Sequence, residues 1–216
     1  MKAAKIRKNT GYFFMAVFAI FISLYPLKFI WAPVNEGLLG SKSSELISSF
    51  FYLPAFYTHI FPGGLALLMG FSQFFPKLRR KRPGLHRVLG KIYVISVLLS
   101  GTAGLAIAYF ATGGFITALG FALLAILWLY TTVNAYTSIR KMDISNHQKW
   151  MIRSYALCFA AVTLRIYLPV FTGLLGMSFI PAYTIIAWLC WMPNLAVAEW
   201  LIIRPMSLQE KSVNSG

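Results

Sequence analysis

Six long apolar runs, separated by short basic segments, suit this chain to the hydrocarbon of a lipid bilayer better than to water. A helix rises about 1.5 Å per residue, so about 20 residues cross a hydrocarbon core about 30 Å thick. Runs at roughly 11–33, 56–76, 87–111, 115–138, 147–172 and 180–203 meet that length. Composition agrees: 58% of the 216 residues are hydrophobic and 12% are charged, against about 25% charged in a soluble domain. No polar stretch is long enough for a second domain. The expected fold is all-α, a polytopic integral membrane helix bundle of six transmembrane helices forming one domain over 1–216.

Local signals mark the ends of the runs. Lys2, Lys5, Arg7 and Lys8 imitate the start of a signal peptide, but the run from Tyr12 to about Pro33 exceeds an apolar signal core of about 7–15 residues. It reads as a retained first span. Pro76 and Pro83 frame one break, Gly113-Gly114 supply a tight turn, and Gly173, Gly176 and Pro181 separate the last two spans. Ser145 with Gln148 fits a capping box that starts the fifth span near Asn146. The tryptophans lie mostly toward span ends, as interfacial belts do. The longest connection, about Val34 to Ala55, is Ser-rich, yet Leu46-Ile47 and Phe50 to Leu53 are apolar enough to lie on the membrane surface.

Charge sets the orientation. Twenty Lys and Arg face five Asp and Glu, a net charge of +15. Alone, that balance would raise nucleic-acid binding. The basic residues sit at headgroup level between the runs, so anionic lipid headgroups are the expected partner and nucleic acid is not. With the N-terminus inside, the inner segments carry Lys2, Lys5, Arg7, Lys8, the seven cations from Lys77 to Lys91, Arg140, Lys141, Lys149, Arg153, Arg204 and Lys211. The outer side carries only Lys28 and Lys42. Both termini are therefore expected in the cytoplasm, and the location is a bacterial inner (cytoplasmic) membrane.

A few residues within the spans could carry chemistry. Arg165 lies about 24–27 Å from the inner end of the fifth span, where a lone cation costs at least about 2–3 kcal/mol. It either snorkels to the outer headgroups or anchors an anion or polar ligand inside the bundle. His147, Met151, Ser154, Cys158, Ala161 and Arg165 fall near one line of the helix, a stripe that usually packs against protein. His59 lies at a depth similar to Arg165, and the two could share an outer polar site with Tyr57 and Tyr167. Ligand-binding candidates are thus His59, Arg165 and Tyr167, for a quinone headgroup or small anion.

His86 and His147 open two spans at the inner side. Haem in a membrane bundle needs two imidazoles at equal depth with cations nearby for its propionates. These two histidines, with Arg87, Lys91, Lys149 and Arg153, fit b-type haem; they also fit two interfacial histidines in basic loops. Gly90, Gly101 and Gly104 would let a macrocycle, or another helix, approach the third span. His59 is about 25 Å from the other two histidines, so the three cannot form one metal cage, and no metal beyond a haem iron is expected. Glu199 is the one carboxylate inside a span; an ion pair with Arg153 and a proton-handling role are its two readings. Asn194, Asn134 and Thr131 could link the fourth and sixth spans. Cys158 and Cys190 read as small buried hydrophobes. No nucleophile motif, Walker loop or H-E-x-x-H is present, so enzymatic activity stays open.

Several stretches together resemble a bacterial family of predicted membrane proteins of unknown function, domain of unknown function 2306. They are His59-Ile60 with Gly63-Gly64 and Gln73-Phe74, then Leu85 to Tyr93, His147 to Leu157, Ala160 to Arg165 and Ala187 to Asn194. The resemblance covers about 56–203. It implies a helical membrane protein in which the three histidines and Arg165 belong to the family pattern, and it identifies no ligand. The leading expectation is a protein binding b-type haem or a lipophilic redox ligand in its bundle. A small-solute transporter and a non-catalytic assembly or scaffold protein are the alternatives.

Overall fold

A computed structural model describes residues 2–31 and 37–213, with side chains over 13–31 and 39–203. The proposed loop start at Val34, the end of the first run at Pro33, and the side chains of Lys2, Lys5, Arg7, Lys8, Arg204 and Lys211 lie outside the described residues. The chain divides into two compact units, Met1–Thr112 and Gly113–Gly216. The described secondary structure is helical throughout.

In the first unit, α1 (Lys2–Leu24) runs into a 3₁₀ turn at Tyr25–Ile30, where Pro26 fixes the first turn. Two short helices follow, α2 (Gly37–Gly40) and α3 (Ser44–Ser48), then α4 (Tyr52–Ser72), α5 (Pro76–Lys81) and α6 (Pro83–Ala108). Helix α4 packs against both α1 and α6. Its Pro62-Gly63-Gly64 step sits inside the helix and lets both neighbours approach. A Cβ on Gly63 would lie 2.9 Å from Ser100 Oγ of α6, and one on Gly64 would lie 2.8 Å from the Ser23 carbonyl of α1.

The connection between α1 and α4 packs part of its apolar side chains onto this unit. Leu39, Tyr52 and Phe56 form a buried cluster, with Phe29, Leu46 and Leu53 packed against it. Phe50 and Phe51 keep the outward character expected of the segment, at 98% and 46% exposed. The Lys42 ammonium donates to the Phe110 carbonyl at 2.5 Å and to Thr112 Oγ1 at 2.8 Å, satisfying a carbonyl just past the end of α6. Burial there holds the Lys42 pKa below the usual lysine range.

The second unit begins at Gly113 and Gly114, whose φ values of 104° and 78° only glycine adopts readily. Helix α7 (Gly114–Arg140) follows, then α8 (Ile144–Cys158), α9 (Ala160–Pro169), a π turn at Val170–Leu174, α10 (Phe179–Leu189) and α11 (Met192–Val213). Helix α8 starts two residues before the expected position. Asp143 is its cap, accepting from Asn146 N at 3.0 Å and Asn146 Nδ2 at 2.7 Å, so a carboxylate takes the role given to Ser145.

Five helical segments among the described residues are long and apolar enough to cross a membrane: Phe13–Ile30, Pro83–Ala108, Gly114–Arg140, Ile144–Leu174 and Phe179–Ile203. The run expected over 56–76 is helical as α4, with 21 residues. Its tyrosines, histidine, proline and glycines dilute its hydropathy, and it is not among the five. The tryptophans divide: Trp31 and Trp200 are exposed, while Trp128 and Trp191 are buried.

Candidate functional site

His59 and His86 belong to the first unit; His147, Arg153, Arg165, Tyr167 and Glu199 belong to the second. On α4, His59 Nδ1 lies 2.9 Å from the Ser100 carbonyl of α6. A carbonyl only accepts, so Nδ1 carries the proton and the neutral ring has its lone pair on Nε2. Ser100 Oγ returns a bond of 2.7 Å to the His59 carbonyl. The lock depends on Gly104, where a Cβ would stand 2.6 Å from Nδ1. Gly90 does the same for a second polar side chain of this unit, Gln73, whose Oε1 a Cβ would meet at 3.3 Å. These two glycines thus face the α4 side of the unit, which is the helix-approach reading of their spacing. His86 is half-buried in the first turn of α6. Tyr57 packs beside the Leu39, Tyr52 and Phe56 cluster, with its ring 5.6 Å from Phe56.

In the second unit the stripe along α8 faces α7. His147 Nδ1 lies 2.8 Å from the Ala135 carbonyl, and Ser154 Oγ lies 2.6 Å from Thr132 Oγ1, both hydroxyls buried. The carbonyl partner again fixes the proton on Nδ1, leaving Nε2 as the nitrogen with a lone pair to offer. The Asp143 cap that begins α8 sets the ring's height. Its carboxyl is held below the usual carboxylate range, first by the Asn146 backbone N–H and then by the Asn146 amide.

Arg153 and Glu199 join α8 to α11 as a bidentate pair, Nε–Oε1 at 2.5 Å and Nη2–Oε2 at 2.8 Å. The guanidinium also stacks on Trp150, 4.7 Å from the ring centroid. The ion-pair reading of Glu199 is therefore the one with geometry behind it. With side chains 20% and 40% exposed, the pair stands at the rim of its helices rather than in a dry core.

Two of the long apolar segments are interrupted, α8 to α9 at Phe159 and α10 to α11 at Cys190-Trp191. At the first break Val162 N and Thr163 N both reach the Phe159 carbonyl, a tightened turn. Pro193, in the first turn of α11, accounts for the second. One side chain binds the breaks together. Asn194 Nδ2 donates to Thr163 Oγ1 at 2.9 Å, to the Cys190 carbonyl at 2.9 Å and to the Ala156 carbonyl at 3.3 Å. Thr163 Oγ1 donates to the Cys190 carbonyl at 2.7 Å. The expected link of the fourth and sixth spans is corrected by these bonds. Asn194 ties the sixth to the fifth, while Asn134 and Thr131 bond carbonyls of their own helix.

Arg165 folds back along α9, its Nη1 donating to the Ala161 carbonyl at 2.8 Å. The guanidinium thus points toward the break at Phe159, as a helical side chain leans toward its N-terminus. Tyr167 is half-buried and its ring lies 6.4 Å from Phe171. No three His, Cys, Asp or Glu side chains come together among the described residues.

The sequence profile of a family described as predicted membrane protein, DUF2306, matches residues 56–202. The chain belongs to that family. The match takes in His59, His86, His147, Arg165 and Asn194, with the Ser100, Ala135 and Thr163 partners described above. Comparison with curated proteins and with solved structures returns no match. This DUF2306 member is thus a membrane protein with several apolar helices, and its family carries no assigned activity.

Proposed function

We propose that this DUF2306 protein binds b-type haem or a lipophilic redox ligand within the membrane, in a six-span bundle of the bacterial inner membrane. The observation that carries the reading is the bond from His147 Nδ1 to the Ala135 carbonyl. An imidazole whose Nδ1–H is held by a backbone carbonyl is fixed in tautomer and orientation, with Nε2 available as a metal ligand. Lys149, in the next half-turn, provides a cation for a propionate. Arg165 serves the polar end of a lipophilic ligand, a quinone headgroup or small anion. Its guanidinium is directed along α9 away from the end of the span, whereas a snorkelling arginine turns toward the nearer headgroups.

The absorbance spectrum of detergent-purified protein, after expression with haem supplied, tests this directly. A Soret band that His147→Ala abolishes is the expected result; no Soret band in the wild type removes the haem version. The same spectrum of His86→Ala reads whether a second imidazole comes from the first unit. Organic extraction of the purified protein tests the quinone version, with quinone retained by the wild type and lost in Arg165→Ala.

A small-solute transporter is the second reading, favoured by the paired interruptions at Phe159 and Cys190-Trp191. Broken helices inside a membrane are where transporters place substrate sites. Flux of a small anion into proteoliposomes that vanishes with Arg165→Ala would select this reading over the first.

A further inference from the structure

Five of the six residues from Lys77 to Arg82 are cationic, and they form a built turn rather than a loose tail. Pro76 starts α5, the Arg82 N–H returns to the Leu78 carbonyl at 2.9 Å, and Pro83 opens α6. Helix α5 packs against α6, so the two prolines and that bond hold the basic segment beside the helix end. Lys77, Arg79, Arg80, Lys81 and Arg82 are all exposed. Arg87 turns its side chain back to the Pro83 carbonyl, toward the same end of α6. None of these cations has a carboxylate partner among the described residues; Glu45, the acidic residue described in this unit, lies in α3, at the far end of α4.

Exposed apolar side chains flank the cations: Phe75 before α5, and Leu85 and Val88 on α6. A nucleic acid or a free phosphate has no use for such a border. An acidic phospholipid does, because its phosphate meets the cations while its acyl chains cover the apolar rim. We infer that the α5 turn, with Arg87, is a binding site for the phosphate headgroup of acidic phospholipids. The membrane location already established is all that this site requires, and it stands apart from the reading of His147 and Arg165.

Native mass spectrometry of the full chain in detergent, titrated with phosphatidylglycerol or phosphatidylcholine, tests the site. Phosphatidylglycerol adducts are expected at about tenfold or more lower lipid concentration than phosphatidylcholine adducts. The preference should collapse in the variant carrying Lys77→Gln, Arg79→Gln, Arg80→Gln and Lys81→Gln, and persist in Arg140→Gln with Lys141→Gln, which removes charge from another basic turn. Should the fourfold variant fail to fold, raising salt on the wild type serves the same purpose, since screening should erase the preference. Equal binding of the two lipids, a preference kept in the fourfold variant or unmoved by salt, or displacement by millimolar inorganic phosphate would overturn the inference.

Discussion

His59 and Gly104 show how a single missing methyl sets a helix contact. The ring is held at 2.9 Å from the Ser100 carbonyl, and a Cβ at 104 would occupy the space beside Nδ1. Gly104→Ala should therefore push the imidazole off that carbonyl and cost about 1–3 kcal/mol, the range for overpacking. Thermal unfolding in detergent should show most of the loss recovered when His59→Ala is added, because the clash and the bond vanish together. At Asp143 the prediction concerns pH. Its folded pKa is depressed, so its stabilisation of α8 is complete above the ordinary aspartate range. It is lost as pH falls through the lower folded value. Asp143→Asn, which keeps a capping oxygen without the charge, should flatten the acid limb of stability measured between pH 6 and pH 3.

At the scale of elements, the interruptions matter more than the helices they divide. Three acceptors converge on the Asn194 amide; without it the Cys190 carbonyl keeps the Thr163 hydroxyl, while Thr163 Oγ1 and the Ala156 carbonyl each lose a donor. Asn194→Leu should lower stability by about 1–3 kcal/mol, read as a fall in melting temperature of detergent-solubilised protein. Thr163→Val, which deletes one acceptor and one donor of the same knot, should add little on top of it. Sequence made part of this legible. Pro193 announces a break at the start of α11, and Gly113-Gly114 announce a turn, because both act through the local backbone. The break at Phe159 has no such residue; it depends on Thr163 and Asn194, 31 positions apart. For the same reason the Arg153–Glu199 pair could be read from depth alone, whereas the Ser100 partner of His59 and the Ala135 partner of His147 could not. A carbonyl leaves no mark in the sequence.

For the whole molecule, the topology turns on whether α4 crosses. Five segments qualify on length and apolarity, and α4 qualifies on length with a diluted composition. We propose that it does, on the balance of charges. If α4 did not cross, every segment after it would change sides, and the α5 turn would stand opposite Lys2 to Lys8. Six spans divide the cations seventeen against two, whereas five spans would divide them fifteen against four with the N-terminus on the other side. Polar residues within α4 are no obstacle, since His59 is bonded to α6 and the glycine pair meets α1 and α6.

Single cysteines at Ser43 and Lys77, placed in a background of Cys158→Ala and Cys190→Ala, test this most directly. A membrane-impermeant maleimide applied to intact spheroplasts should label Ser43→Cys at once and Lys77→Cys only after lysis. Equal labelling of both from the outside would mean that α4 does not span, and the six-span account would fall.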